Sequence, residues 1–386
     1  MAKNTRKTVA TFALASFLND LGAEMIYPIW PIFVTTVLGA NMAVLGLIDG
    51  LSDAIVSLSQ AFSGWLSDRI RKRKIFVVLG YLFSGLSKIG YAFAAVWQNL
   101  IPLRIFDRAG KIRDSPRDAI IADVSTRKNR GKNFGILRAM NNLGGVFGVI
   151  ISIIFFATLG YRNLFLLAAI PPLIGTMFVL GAVKERKTKI KIHKGISFRN
   201  ISKNLRLFMI LSAIFALGSF SYSFLLVYAK KFGFSVIFIP VLYLIFVASA
   251  SVFSIPFGKL ADKIGRKQVL FISLSFWMLL CIIFILTDSQ FMEYYYVLII
   301  ATFILYGLHK GALDPVQKTL VAELAPKEFR ASTLGGFEMV IGLCALPASL
   351  GAGLLWDKVG FIAPFYLSLG LTIISMIMLL FLKEKH

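Results

Sequence analysis

The chain has 386 residues, of which 57% are hydrophobic and 16% are charged, and its mean hydropathy is +0.77. Soluble globular domains are about half apolar and about a quarter charged, so this composition excludes an ordinary soluble domain. The formal net charge of +23 would suit a nucleic-acid-binding protein, but no basic soluble domain interrupts the apolar sequence. We therefore expect a chain embedded in the lipid bilayer that binds no nucleic acid.

Long apolar segments follow one another along the chain. A helix needs about 20 apolar residues to cross a hydrocarbon core about 30 Å thick, where every backbone polar group must be paired internally. The fold class that we predict is therefore an all-α polytopic membrane protein. Twelve transmembrane helices are predicted, over residues 8–38, 43–67, 74–96, 98–123, 131–159, 162–183, 203–232, 237–261, 267–287, 293–324, 330–356 and 360–383.

Lysine and arginine are concentrated in alternate connections, after the second, fourth, sixth and eighth predicted helices. Basic residues in short loops stay on the cytoplasmic side of a membrane. The pattern therefore predicts an even number of spans, with both termini in the cytoplasm. The longest polar stretch, residues 184–202, separates six predicted helices from six.

The residues that usually carry enzyme chemistry form no recognisable motif. Cys281 and Cys344 lie in apolar spans, with neither the spacing of a metal site nor that of a disulfide framework. The sequence shows no nucleophile elbow and no phosphate-binding loop. We therefore expect neither an enzyme nor an ATP-driven pump, and we predict no cofactor and no metal.

The loop after the second predicted helix is repeated after the eighth. Residues 64–73 read GWLSDRIRKR, and residues 258–267 read GKLADKIGRK. Each copy has a glycine, an acidic residue four positions later and two basic residues at its end. A weaker echo at equal spacing follows helices four and ten, with Asp123, Arg130 and Gly135 in the first half and Glu323, Arg330 and Gly335 in the second. Repeats at matching positions indicate an internal duplication.

The two loops, the six-plus-six arrangement and the basic central segment together resemble the major facilitator superfamily along essentially the whole chain. The loop is most familiar among proton-coupled drug antiporters of that family. The resemblance implies two pseudo-symmetric six-helix bundles, residues 1–183 and 203–386, joined by a basic cytoplasmic linker, residues 184–202. It also implies a monomer in the cell inner membrane that moves a small solute by alternating access.

In this family the repeated loop acts as a latch that steadies one conformation. Its glycines permit close approach of helices, its acids can face the positive end of a helix, and its basic residues can pair with acids or with anionic headgroups. The alternative is a plain cytoplasmic anchor. The resemblance implies a latch made of Gly64, Asp68, Arg69 and Arg73 in the first copy, and of Gly258, Asp262, Gly265 and Arg266 in the second.

Ionisable residues inside the predicted spans are the most informative positions, because a charge at bilayer depth is costly and usually faces a cavity or a partner. In the first span, Asp20 and Glu24 are four residues apart and therefore share a helix face. In the fourth span, Arg104, Arg108 and Lys111 form a stripe along one face. These charges must meet water, one another, or both.

The resemblance places spans one and four beside a central cavity, which brings these acids and bases together. A carboxylate that makes or breaks contact with an arginine takes up or releases a proton. The candidates for proton coupling are Asp20, Glu24, Asp53, Arg104 and Arg108. The alternative is a fixed ion-pair network that only orders the first bundle.

Polar residues in the spans are candidates for lining a substrate cavity. They are Asn19, Tyr27, Lys111, Arg138, Asn142, Tyr222, Tyr306, His309, Lys310, Asp314 and Glu338. His309 lies near the middle of its span, where it either titrates or serves as a hydrogen-bonded interior histidine. The leading hypothesis is proton-coupled efflux of an amphipathic compound. The alternatives are transport of an anionic metabolite or acidic metal chelate in either direction, and an uncoupled facilitator.

Overall fold

The computed structural model describes the backbone of residues 2–70, 72–126, 130–183, 202–287, 295–326 and 330–383, and within these ranges the secondary structure is helical, with no strand. The side chains of residues 2–5, 68, 130–131 and 330–332 are not among those described. The helices are α1 Ala2–Glu24, α2 Trp30–Ile32, α3 Met42–Ile70, α4 Lys74–Phe93, α5 Leu100–Ala109, α6 Asp114–Val124, α7 Arg130–Ala182, α8 Lys203–Gly218, α9 Tyr222–Lys231, α10 Ile239–Ile264, α11 Arg266–Thr287, α12 Tyr295–Leu324, α13 Arg330–Lys358 and α14 Ala363–Leu380.

The predicted all-α membrane fold is confirmed. In the described part of the chain, nine helical segments are long and apolar enough to cross a membrane. One of them, within α7, holds two spans, because Gly160 has a φ of 66° and a ψ of −172° and so interrupts the helix. The two predicted spans outside this set are the first and the fourth, whose charges lower their hydropathy.

Three of the predicted spans are broken rather than continuous. The first ends as α1 at Glu24 and resumes at Trp30, after a turn that contains Pro28. The fourth is divided into α5 and α6 by a 3₁₀ turn, Gly110–Arg113. The seventh is divided into α8 and α9 at residues 219–221, where Ser221 caps α9 by accepting a hydrogen bond from the backbone N–H of Ser223.

The helices form two compact units, and the first comprises Met1–Ala40 and Ile55–Ile192. In it α1 packs closely on α7 through glycines of both helices. A Cβ atom at Gly22 would overlap the carbonyl oxygen of Ala168, and one at Gly144 would overlap that of Phe17. This close packing holds the acidic face of α1 at a fixed position in the unit.

The second unit comprises Asn41–Ala54 and His193–His386. Asn41 and the beginning of α3, up to Ala54, therefore pack with helices of the second half of the sequence. A Cβ atom at Gly46 would overlap the carbonyl oxygen of Ser349, and one at Gly353 would overlap that of Met42. The predicted bundle boundary at residues 184–202 lies almost entirely outside the described residues and stays a prediction.

Candidate substrate and coupling site

Three cations surround one buried carboxylate in the first unit. Asp107 of α5 has an oxygen 3.9 Å from Lys88 Nζ of α4, and its other oxygen lies 3.7 Å from Arg104 Nη1 and 3.8 Å from Arg108 Nε. Lys88 is 2% exposed and Arg104 5% exposed. Lys88 also donates hydrogen bonds to the carbonyl and hydroxyl oxygens of Ser84, at 2.9 Å and 2.8 Å. The group is therefore fixed from two helices and largely shielded from solvent.

The break in the first span brings aromatic side chains to this charged group. Tyr27 lies in the turn after α1, and its hydroxyl accepts a 2.6 Å hydrogen bond from Arg108 Nη1. The Arg108 guanidinium also lies 4.9 Å from the centroid of the Tyr27 ring, while that of Arg104 lies 4.4 Å from the Trp30 ring. Ring faces attract cations, so both guanidinium groups are held in defined orientations. Tyr27 and Arg108 are partly exposed, so this side of the group is accessible.

A second charged group lies further along the same span, around Asp114. Its carboxylate is 3.1 Å from Arg117 and 3.9 Å from Lys111, and it accepts a 3.0 Å hydrogen bond from Gln60 Nε2. Arg117 also pairs with Asp118 at 2.9 Å. Arg113 Nε lies 3.7 Å from the same carboxylate, so Asp114, like Asp107, has three cations around it.

The predicted coupling acids of α1 lie beside these groups. Asp20 accepts a 3.0 Å hydrogen bond from Asn19 Nδ2 and interacts electrostatically with Lys111. Glu24 lies beside Gly148 of α7 and within electrostatic reach of Tyr27.

The acid that pairs with Arg108 differs from the one that we expected. Among the described residues, Asp107 is the carboxylate within 4.0 Å of Arg108, whereas the sequence pointed to Asp20 or Glu24. Asp107 stands three residues after Arg104, a spacing that signals their own ion pair but not the one with Arg108. Of the two predicted cavity residues on α7, Arg138 is 68% exposed and 4.0 Å from Asp118, and Asn142 is exposed.

In the second unit, Asp49 of α3 binds the start of α9. Its carboxylate accepts a 2.7 Å hydrogen bond from the hydroxyl of Ser221 and another from that of Ser223. The predicted cavity residue Tyr222 packs on Tyr243, with ring centroids 5.2 Å apart. Asp49 was not among the predicted site residues. The sequence signal for it was its spacing of four residues from Asp53, which places both acids on one helix face.

The predicted polar residues Lys310 and Tyr306 of α12 interact with charged residues of α3 and α13, whereas His309 is buried among aromatic rings. Lys310 interacts electrostatically with Asp53, Asp314 and Glu338. Tyr306 interacts with Lys310, Asp314 and Asp53. Lys318 and Glu338 form a 3.1 Å ion pair.

His309 is fully buried against aromatic rings, and its Nδ1 lies 2.9 Å from the carbonyl oxygen of Ser273. This is the environment of an interior hydrogen-bonded histidine.

The repeated loops make corresponding ion pairs in the two units. Arg73 pairs with Asp123 at 2.5 Å, and Arg266 pairs with Glu323 at 3.1 Å and with Asp262 at 2.8 Å. The next residue in each loop, Lys74 or Lys267, donates a 2.7 Å hydrogen bond to the carbonyl oxygen of Leu180 or Leu380, respectively. Each loop thus joins the ends of two later spans of its own half.

The remaining loop residues differ from expectation in one respect. A Cβ atom at Gly258 would meet no heavy atom within 4 Å, and one at Gly64 would meet only the Ser115 side chain, at 3.5 Å and beyond. The expected close helix approach at these glycines is therefore wrong for this conformation. Gly265 has a φ of 104° and makes the turn between α10 and α11, while Arg69 lies over the Trp65 ring at 5.3 Å. The side chain of Asp68 lies outside the described residues.

A family model described as Major Facilitator Superfamily matches residues 12–241 and 207–386 of the chain. The chain belongs to the major facilitator superfamily. This member is accordingly a membrane transporter and not an enzyme.

Relatives of this superfamily member support the assignment. An MFS-type transporter of Methanocaldococcus jannaschii is 39% identical over 97% of this chain and 95% of its own length. Multidrug resistance protein 2 of Bacillus subtilis is 26% identical, over 69% of this chain and 70% of its own. The solved structure of the nucleoside transporter NupG aligns with a TM-score of 0.81 over 98% of this chain and 100% of that one, at 15% identity. At that identity the likeness shows the shared fold and carries no substrate with it.

Proposed function

We propose that this protein is a secondary transporter that works by alternating access and couples its solute to protons. The proposal rests on Asp20 and Glu24 of α1: Asp20 interacts electrostatically with Lys111, and Glu24 with Tyr27, the hydrogen-bond partner of Arg108. Neutralising one of these acids changes the charge balance around Arg104, Arg108 and Lys111. A proton therefore alters the free energy of solute binding, and of any conformation that contacts these residues differently.

For the solute, the single observation with most weight is the group around Asp107. Lys88, Arg104 and Arg108 all lie within 4.0 Å of this one carboxylate, so positive charge is in excess there. The partly exposed side of the group, at Tyr27 and Arg108, therefore favours an anionic solute. Efflux of an amphipathic compound is the second candidate. It is supported by the match to Multidrug resistance protein 2 and by the aromatic rings of Tyr27 and Trp30 beside the charges.

Purified protein in liposomes loaded with a pH-sensitive dye tests the coupling. The probes are benzenesulfonate as an anion and ethidium as an amphipathic cation, each applied as a gradient. We expect one of them to drive a change of internal pH that disappears when Asp20→Asn and Glu24→Gln are combined. Glu185→Gln, which neutralises an acid in the polar stretch 184–202 between the two predicted bundles, is the matched control and should leave the pH change intact.

Two results contradict the proposal. One is solute movement with no pH change, which is the behaviour of an uncoupled facilitator. The other is an undiminished pH change after both acids of α1 are neutralised.

A further inference from the structure

We infer that Arg108, oriented by Tyr27 and backed by Arg104 and Lys88, is the recognition site for the anionic group of a small organic solute. The inference rests on the proposed transport function and adds to it a solute class and the side chain that selects it. Carboxylate, sulfonate and phosphonate groups share the required chemistry, because each presents two oxygens to the planar donor fork of a guanidinium.

The first argument is the charge balance of buried groups. Buried charges are normally paired, because an unpaired ion loses its hydration without compensation. Here Lys88, Arg104 and Arg108 share Asp107, and Glu24 is the further acid within reach of Tyr27. The group therefore remains positive even when both carboxylates are ionised. A bound anion would supply the missing negative charge.

The second argument is the length of the contacts. Charge-assisted hydrogen bonds have heavy-atom distances of about 2.7–2.9 Å. The three cations lie 3.7–3.9 Å from the oxygens of Asp107, which is ion-pair distance but not hydrogen-bond distance. Arg108 Nε is buried and, within the described residues, has no hydrogen-bond partner. Arg108 thus keeps one donor unused within the described part of the protein.

The third argument is preorganisation on the accessible side. The hydroxyl and the ring face of Tyr27 hold the guanidinium of Arg108, and both side chains are partly exposed. Lys88 and Arg104 lie behind them and are almost completely buried. An anion that reaches Arg108 would therefore meet a fixed donor group with a positive field behind it, and little side-chain entropy would be lost on binding.

The neighbouring group around Asp114 provides an internal comparison. There Arg117 has acidic partners at 3.1 Å and 2.9 Å, and Gln60 donates to Asp114 at 3.0 Å. The short contacts there are those of Arg117 and Gln60, since Lys111 and Arg113 lie 3.9 Å and 3.7 Å from the Asp114 carboxylate. The Asp107 group differs in that Tyr27 orients its partly exposed Arg108, whereas Arg113 is almost completely buried.

Binding to the detergent-purified full chain tests the inference without requiring transport. The probes are three phenyl compounds of similar size: benzenesulfonate, neutral benzenesulfonamide and cationic benzyltrimethylammonium. We expect benzenesulfonate to bind at least about tenfold more tightly than the other two. Arg108→Gln should weaken its binding at least about tenfold, and Arg108→Lys, which keeps the charge but loses the fork, should bind with intermediate affinity. Arg162→Gln, at an exposed position, should bind as the unchanged protein does.

Tyr27→Phe provides a test that leaves every charge in place, in case Arg108→Gln does not fold. It removes the 2.6 Å hydrogen bond that orients Arg108, and we expect benzenesulfonate binding to weaken about two- to tenfold. Tyr366→Phe, at a position 60% exposed, is its control. Equal binding of the neutral and anionic probes overturns the inference, as does unchanged binding in both Arg108→Gln and Tyr27→Phe.

The outcomes also separate this inference from the proposed function. Anion binding that depends on Arg108, in a protein that moves no protons, would reject the coupling and leave the anion site standing. Proton-linked movement of ethidium, without anion binding, would reject the anion site and leave the coupling standing.

Discussion

The carboxylate of Asp49 accepts a 2.7 Å hydrogen bond from the hydroxyl of Ser221, the residue that caps α9. The hydroxyl of Ser223 donates to the same oxygen. The break in the seventh span is therefore stabilised by a carboxylate from the beginning of α3, and no proline is present at the break, residues 219–221. A polar contact of this kind is stable while it is dry and exchanges readily with water once it is exposed.

Ser221→Ala removes both the cap of α9 and a donor to Asp49. We expect it to lower the free energy of unfolding by about 1–3 kcal/mol, because a lost cap and a buried acceptor that loses one partner each cost about 1 kcal/mol or more. Thermal unfolding in detergent, followed by intrinsic fluorescence, measures the loss. Ser235→Ala makes the same exchange at an exposed serine and should change stability by less than about 0.5 kcal/mol. Equal effects of the two substitutions would show that the contact with Asp49 contributes nothing.

Gly353→Ala and Gly351→Ala form a matched pair on α13. A Cβ atom at position 353 would overlap the backbone of Met42, whereas one at position 351 would meet no heavy atom within 4 Å. The first substitution should lower the melting temperature clearly, because two helix backbones must separate. The second should leave it unchanged or raise it, since alanine favours a helix over glycine by about 1 kcal/mol. A melting temperature of Gly353→Ala equal to that of Gly351→Ala would contradict the close packing of α3 on α13.

Asp107→Asn should destabilise the protein by about 3–5 kcal/mol, because it leaves Lys88, Arg104 and Arg108 buried without their shared carboxylate. Asp123→Asn is the comparison, since its carboxylate is 46% exposed and its ion pair with Arg73 is at the surface. That change should cost at most about 1 kcal/mol. Denaturation in detergent measures both. Benzenesulfonate should stabilise both variants, because both keep Arg108, and should stabilise Asp107→Asn more, since there it can replace the lost negative charge.

The Arg266–Glu323 pair is suited to a double-mutant cycle, in which each residue is replaced by alanine alone and together. We expect a coupling free energy of about 0.2–1 kcal/mol, which decreases as salt is added, because Glu323 is half exposed. The Arg73–Asp123 pair should behave in the same way, since it joins the corresponding segments of the other unit. A coupling that is insensitive to salt would show that these pairs are more deeply shielded than their exposure indicates.

Much of the fold could be predicted because hydropathy directly reports which backbone segments must be helical in a membrane. The prediction for the tenth span was residues 293–324, and α12 is Tyr295–Leu324. The interruptions were missed because they depend on particular tertiary contacts that hydropathy does not report. The first span was predicted as one helix, whereas α1 ends at Glu24. The seventh span is interrupted where the hydroxyl of Ser221 donates a hydrogen bond to Asp49, far away in the sequence.

The candidate site could be predicted at the level of helices but not of partners. Charge density drew attention to the fourth span, which carries Arg104 and Arg108 next to Tyr27 in the turn after α1. The partner of Arg108 depends on the rotation of α5 about its axis and on the turn that positions Tyr27, and neither is encoded in spacing alone. For this reason Asp107, one of several acids in its span, was passed over in favour of Asp20 and Glu24.

The charges of α1 and of α5–α6 also affect how this protein is made. These are the two spans outside the apolar set, and a central charge costs about 2.5–3.5 kcal/mol when a helix enters lipid from the translocon. Neither would enter efficiently by itself, whereas the apolar α3 and α4 between them would. We therefore expect insertion of the first half to depend on cooperation between these segments, with α1 inserting stably only once α5 and α6 have been synthesised. A nascent chain that stops before Asp107 has not yet acquired the carboxylate that neutralises Lys88.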